Sequence, residues 1–190
     1  MKVLLLSLIY FTVMIQSPEA QDNTGWIKLS GESGLKGWHL FKQPGINPAW
    51  NSVDGVISLD ANKKEGRGDI VTDATFGDFE LRFDWKVAKG SNSGIVFLVQ
   101  ESDAHDATWH TGPEFQVIDN TGYPDKLDAK QMAASLYDLI PCPVEYIKPT
   151  GEWNTTVIKL EKGKLEFIVN GKNAVSTVLW NAGWDNLVAG

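Results

Sequence analysis

Between residues 79 and 87 the chain reads Phe-Glu-Leu-Arg-Phe-Asp-Trp-Lys-Val. Apolar and charged side chains alternate, which is the period of a β-strand with one buried and one wet face. An α-helix, turning once in about 3.6 residues, cannot gather that apolar set on one side. The pattern recurs at 153–160, where Trp153, Thr155, Val157 and Lys159 oppose Asn154, Thr156, Ile158 and Leu160. Residues 94–99 are nearly all apolar, as expected of a central strand. Shorter strands are expected at 26–29, 38–41, 56–59, 69–72, 133–139 and 165–169. Asp54-Gly55, Lys162-Gly163 and Asn170-Gly171 supply turns between them. Past residue 20 no helical period of real length intervenes, so the expected fold class is all-β, a sandwich or jelly roll.

The stretch Gly112-Pro113-Glu114-Phe115-Gln116-Val117-Ile118-Asp119-Asn120 gathers the chemistry. As a strand it puts Phe115 and Val117 on one face and Glu114, Gln116 and Ile118 on the other. A carboxylate and an amide then stand side by side, with Trp109 and His110 before them and Tyr123, Tyr137 and Asp138 after. Apolar neighbours would raise the pKa of Glu114 toward neutrality and suit it to general acid or base work. Asp119 points to the opposite face unless a turn or bulge rotates it, which argues against a paired-carboxylate mechanism. A strand with a merely solvated outer face fits the same residues equally well.

The N-terminal run sets how much chain is left for this fold. Lys2 precedes an apolar run from 3 to 15, broken only by Ser7 and Thr12, and Ser17-Pro18-Glu19-Ala20 follows. Residues 1–20 read as an export signal cut after Ala20, although Pro18 fits the cleavage rule poorly. The alternative is an uncleaved anchor. The run is short for a bilayer span, and no later stretch is long enough. Residues 21–190 are one domain with ample core. The chain is therefore expected to be exported.

The net charge of −7 argues against nucleic acid and anionic membranes as partners. Cys142 is the only cysteine, so no intrachain disulfide forms, and a small apolar filler is its simplest role. His105 and His110, with Asp103 or Asp106, could ligate an ion, but their spacing is no recognised metal motif and a solvated loop is the simpler reading. No phosphate loop and no Gly-x-Ser-x-Gly elbow is present. Eight tryptophans in an acidic, exported chain suit sugar binding, since a pyranose stacks its C–H face on an aromatic ring. More than half of them are expected in the core.

Several motifs then occur in a telling order: Trp50…Asp54-Gly55-Val56-Ile57, Thr72…Phe76-Gly77-Asp78-Phe79-Glu80-Leu81, Ser91-Asn92-Ser93-Gly94-Ile95, the stretch from Gly112 to Asn120, Leu136-Tyr137-Asp138, Lys148-Pro149-Thr150-Gly151-Glu152-Trp153-Asn154, and Val169-Asn170-Gly171. Over residues 25–175 the chain resembles the 3-keto-disaccharide hydrolase family, formerly domain of unknown function 1080. The resemblance implies a concanavalin A-like jelly-roll β-sandwich of two antiparallel sheets. It also implies action on glycosides whose glucose ring is oxidised at C3. Members of that family continue into a strand with Gly-Leu-Gln-(x)-His-Gly and Phe-Arg-Asn elements, absent here, so a sheet lacking its last strand is expected. Ser135 stands where members often have Gly or Ala.

A 3-keto group acidifies the proton at C2, so a base can form an enolate and the C1 substituent can leave. For that chemistry Glu114 or His110 is the expected base, and Tyr137 or Asp138 the proton donor. Gln116, Asn92 or a divalent metal ion would hold the enolate, and Trp109 and Trp153 would stack on the rings. Ser93, Asp119 and Asn154, from the same motifs, complete the expected substrate-binding set. A non-catalytic, lectin-like sugar-binding module is the main alternative, with a structural domain of a surface assembly third. A laminarinase-type glycosidase would need a Glu-x-Asp-x-x-Glu strand, which the chain lacks.

Overall fold

A computed structural model describes residues 8–14, 25–30, 34–45, 49–63, 65 and 67–189. Its strands are β1 (Leu8–Met14), β2 (Trp38–Leu40), β3 (Trp50–Val53), β4 (Val56–Leu59), β5 (Ile70–Thr72), β6 (Phe79–Lys86), β7 (Asn92–Val96), β8 (Glu114–Ile118), β9 (Asn154–Glu161), β10 (Lys164–Val169) and β11 (Lys172–Val178). A seven-stranded antiparallel sheet runs in the order β11-β10-β9-β6-β1-β4-β3. Two small antiparallel pairs, β7-β8 and β2-β5, complete the described strands.

The alternation read at 79–87 holds. Leu81, Phe83, Trp85 and Val87 are buried, while Glu80 on the wet face pairs with Arg82 and Lys159 at 2.5 and 3.0 Å. β9 lies beside β6 in register from Phe79↔Leu160 to Trp85↔Asn154. Its buried set is Asn154, Thr156, Ile158 and Leu160. The indole N–H of fully buried Trp85 would be costly unpaired, and it donates to Thr156 Oγ1 at 2.9 Å.

The β7-β8 pair packs on the large sheet through Phe115. Its ring meets Phe83, Trp85 and Phe167 edge-on, with centroids 5.4, 6.0 and 5.2 Å apart. Such geometry sets the positive ring edge on the negative face of its neighbour. The result is the antiparallel β-sandwich expected from the motifs. It has an aromatic core between layers.

The hairpin turns form where expected. Asp54-Gly55, Lys162-Gly163 and Asn170-Gly171 all have positive φ at both residues, the two-residue geometry whose twist matches the strands it joins.

Other expectations need correction. Residues 26–29 make only an isolated bridge at Ile27, and 133–139 form turns with single bridges from Leu136 to Phe115 and Ile140. Ala134 and Asp138 have φ of 62° and 58°, which no strand can carry. A short helix, α1 (Ala182–Ala189), follows β11 where no helix was expected. Trp85 is the one fully buried tryptophan. Trp38, Trp50 and Trp184 pack partly on the core among the described residues. The middle of the N-terminal apolar run is β1, which pairs with β6 from Leu8↔Lys86 to Met14↔Glu80 and with β4 on its other side. The rest of the expected export signal, with its cut after Ala20, lies outside the described residues.

Candidate functional site

β8 positions Glu114 by burying its neighbour. Phe115 and Val117 are fully enclosed in the core, so the alternation of the strand turns Glu114 outward. Register adds the facing strand. Asn92 pairs with Ile118, Gly94 with Gln116 and Val96 with Glu114, and paired residues share a face. That face of β7-β8 therefore carries Asn92 and Gly94 with Glu114, Gln116 and Ile118, the last two of them buried. Asn92 lies four residues along β7 from the partner of Glu114, roughly 13 Å away. Ser93 pairs with Val117 and so belongs to the core-facing side.

Glu114 is the perturbed acid of this face. Burial first, then the negative charge of Asp69, pushes its carboxyl up to about 7. Asp69 precedes β5 and accepts a hydrogen bond from Thr108 Oγ1 at 2.5 Å, which ties it to the 3₁₀ turn Thr108–His110 just before β8. Tyr137 closes another side. Its backbone N–H donates to Glu114 O at 2.9 Å. Its phenol pKa is raised by burial, then by the charges of Asp138, Glu114 and Tyr123, so the phenol keeps its proton at neutral pH. Asp138 follows it, exposed, with its N–H on Lys130 O. Trp109 is 61 % exposed and meets the His110 ring edge-on, centroids 5.8 Å apart.

The remaining expected residues lie elsewhere or are already engaged. Gln116 is buried, and its side-chain carbonyl accepts from Val117 N at 2.9 Å. Asp119 is buried at the end of β8. It accepts from Gly90 N at 2.7 Å, Thr150 Oγ1 at 2.6 Å, and both N and Oγ1 of Thr121 at 3.1 Å. Burial alone would raise its pKa, but bonds from Thr150, Gly90, Thr121 and Gly122 outweigh it and hold the carboxyl at about 2. Asn154 is buried in the large sheet, its Oδ1 taking Lys148 N at 2.9 Å and Asn170 Nδ2 at 2.8 Å. Trp153 is at the surface with Lys86 Nζ 4.8 Å above its ring. Glu114 and Tyr137 are thus brought together, Asp138 follows Tyr137 in the chain, and Trp109 and His110 stand on the turn before β8. Asp119 and Asn154 tie the fold.

Two residues of the face carry weight that the sequence does not reveal. Asp69 is far from Glu114 in the chain and carries no local signal of their meeting. Gly94 appears in a motif, but its closeness to Glu114 depends on register. Among the described residues no group of three or more His, Cys, Asp or Glu side chains is arranged to hold a metal ion. The donor set around His105 and His110 therefore does not fit one.

Comparison with known proteins places this geometry in context. A 3-keto-disaccharide hydrolase of Bacteroides thetaiotaomicron is 34% identical over 184 residues, covering 88% of this chain and 63% of the relative. The chain thus spans less than two thirds of that protein's length. A crystal structure of a candidate glycosyl hydrolase from Parabacteroides distasonis superposes with a TM-score of 0.75 at 29% identity, covering 83% of this chain and 73% of that one. Another from the same organism, at 24% identity and a TM-score of 0.58 over 74% of this chain and 72% of that one, shares the fold. Residues 25–189 match the sequence profile of the 3-keto-alpha-glucoside-1,2-lyase-like domain, and the chain belongs to that family.

Proposed function

We propose that this chain cleaves the glycosidic bond of 3-keto-glucosides or 3-keto-disaccharides, removing the C2 proton and releasing the C1 substituent. The observation that carries this reading is the Glu114 carboxyl, half-buried at the start of β8 and pushed up to about 7. A base working near neutrality should have a pKa near the working pH. Ionised Glu114 takes the proton from C2, and the electron pair moves into the C2–C3 bond as the ketone becomes an enolate. Collapse of the enolate breaks the C1–O bond. Tyr137, whose phenol stays protonated, gives the departing oxygen its proton. Asp138 beside it is the alternative donor. Water adds to the unsaturated product at C1, with C2 taking up a proton, to complete a net hydrolysis. Exposed Trp109 supplies a platform for a sugar ring.

Support also comes from the relative named 3-keto-disaccharide hydrolase. Export to the periplasm or cell exterior is part of the proposal and rests on the apolar run at 3–15. A purely sugar-binding module is the second reading, favoured by the exposure of Trp109.

Glu114→Gln separates the two. The variant keeps the shape and loses the base, so kcat/KM should fall about 10²–10⁴-fold with binding retained. In the parent protein kcat/KM should rise with pH through about 7 as Glu114 ionises. Full activity in a folded Glu114→Gln protein would remove Glu114 from the mechanism.

A further inference from the structure

Gly94 occupies a normal strand position, opposite Gln116 in the β7-β8 ladder. Its φ lies outside the left-handed region, since the positive-φ glycines do not include it. The backbone there would accept any L residue, so the need for glycine must come from what surrounds it. A Cβ built on Gly94 would fall 1.6 Å from Glu114 Oε1, 2.5 Å from its Cδ and 2.8 Å from its Cγ. Those are the three nearest atoms, and all belong to one side chain.

Gly112 offers a contrast within the same site. A Cβ there would meet the backbone oxygen of Phe97 at 2.0 Å, and backbone atoms of Phe97 and Leu98 next. That glycine lets two chain segments cross, so it serves the architecture. At Gly94 the nearest obstacle is the movable end of Glu114. The cross-strand diagonal, reached by long side chains in any antiparallel pair, is here filled by the acid lying across the strand.

We propose that Gly94 is a positioning residue of the site: its missing side chain leaves the seat in which the Glu114 carboxyl lies flat against β7, and a larger residue there would drive the acid out toward solvent. The seat adds to the burial of the Glu114 carboxyl. Gly94 does not touch substrate in this account. It acts through Glu114 by fixing where the carboxyl lies and how much water reaches it. The inference rests on the reading of Glu114 as the reacting group, yet its first test needs no turnover.

The experiment is Gly94→Ala in the full chain, with Glu114 titrated by carbon NMR. The expected result is a midpoint that drops from about 7 toward the usual carboxylate range, because the displaced acid is rehydrated. On a 3-keto-glucoside the acid limb of the pH–kcat/KM profile should move down with it, and kcat/KM at its optimum should fall about 100-fold, the scale of a misplaced reacting group. An unchanged Glu114 midpoint in folded Gly94→Ala would overturn the proposal. If Gly94→Ala does not fold, Gly94→Ala/Glu114→Ala decides: recovery of the fold supports a clash confined to Glu114, and failure to recover it assigns Gly94 to the backbone and overturns the seat. A chain inactive on keto sugars whose Glu114 midpoint still drops in Gly94→Ala would sink the proposed reaction and leave the seat standing.

Discussion

Glu114 and Phe115 are adjacent and serve opposite sides of one strand. Alternation made that legible, because turning Phe115 into the core obliges Glu114 to face out. The raised pKa of Glu114 was legible in direction, since apolar neighbours desolvate it. Its second cause was not. Asp69 reaches Glu114 only after β5 and the Thr108 turn come together. Asp119 shows the converse. It sits in the most chemical stretch of the chain, yet its oxygens are taken by Gly90, Thr121 and Thr150. Sequence shows a carboxylate beside a turn but not the three loop segments that converge on it. Its depressed pKa stabilises the fold above the unfolded value of about 3.9, and that stability is lost as pH falls toward about 2. The shift corresponds to about 2–3 kcal/mol. Asp119→Asn should therefore lose about that much at pH 7 in denaturant unfolding, and the gap to the parent should shrink between pH 4 and pH 2.

At the level of elements, hairpins were the most legible feature, because two-residue turns demand particular residues and Asn170-Gly171 meets the demand. The segment at 133–139 was misread because it has strand-like composition but positive φ at Ala134 and Asp138. It still lies antiparallel to β8, with Leu136 bridged to Phe115 and Tyr137 N–H donating to Glu114 O at 2.9 Å. The place of β1 was also not legible from an apolar run that reads as an export signal. Removing residues 1–20 would withdraw β1 and leave the facing edges of β4 and β6 unpaired. Another tie joins elements across the surface. His39 on β2 has Nδ1 2.7 Å from Asp73 Oδ1, past β5, and Nε2 2.8 Å from Glu101 Oε2, in the loop after β7. Lys42 N also reaches Glu101, at 2.5 Å, and its Nζ donates to His105 O at 3.0 Å. A neutral imidazole has one N–H, so both carboxylates are satisfied only by imidazolium. The Glu101 bond raises the His39 pKa, burial opposes it, and Asp73 raises it further. Stability from this clamp is complete below the unfolded pKa near 6.5 and fades as pH rises through the folded one. His39→Ala should thus lower Tm more at pH 5.5 than at pH 9, by a modest amount suited to a surface tie.

For the whole molecule, the sandwich follows from alternating strands that must each bury one face. The aromatic contacts of Phe115 fix how its two layers meet. No helix among the described residues is long and apolar enough to cross a membrane. The site joins the Glu114 acid to the Tyr137 phenol. The fold alone hosts lectins and hydrolases alike, so the distinction lies in this site. The most direct measurement is to incubate the chain with a 3-keto-glucoside and with its unoxidised parent, each with and without EDTA, and to follow release of the leaving group. The account predicts turnover of the keto compound alone, because only the C3 ketone makes the C2 proton removable by a carboxylate. Cleavage of the parent sugar, or binding of the keto compound with no release, would contradict it.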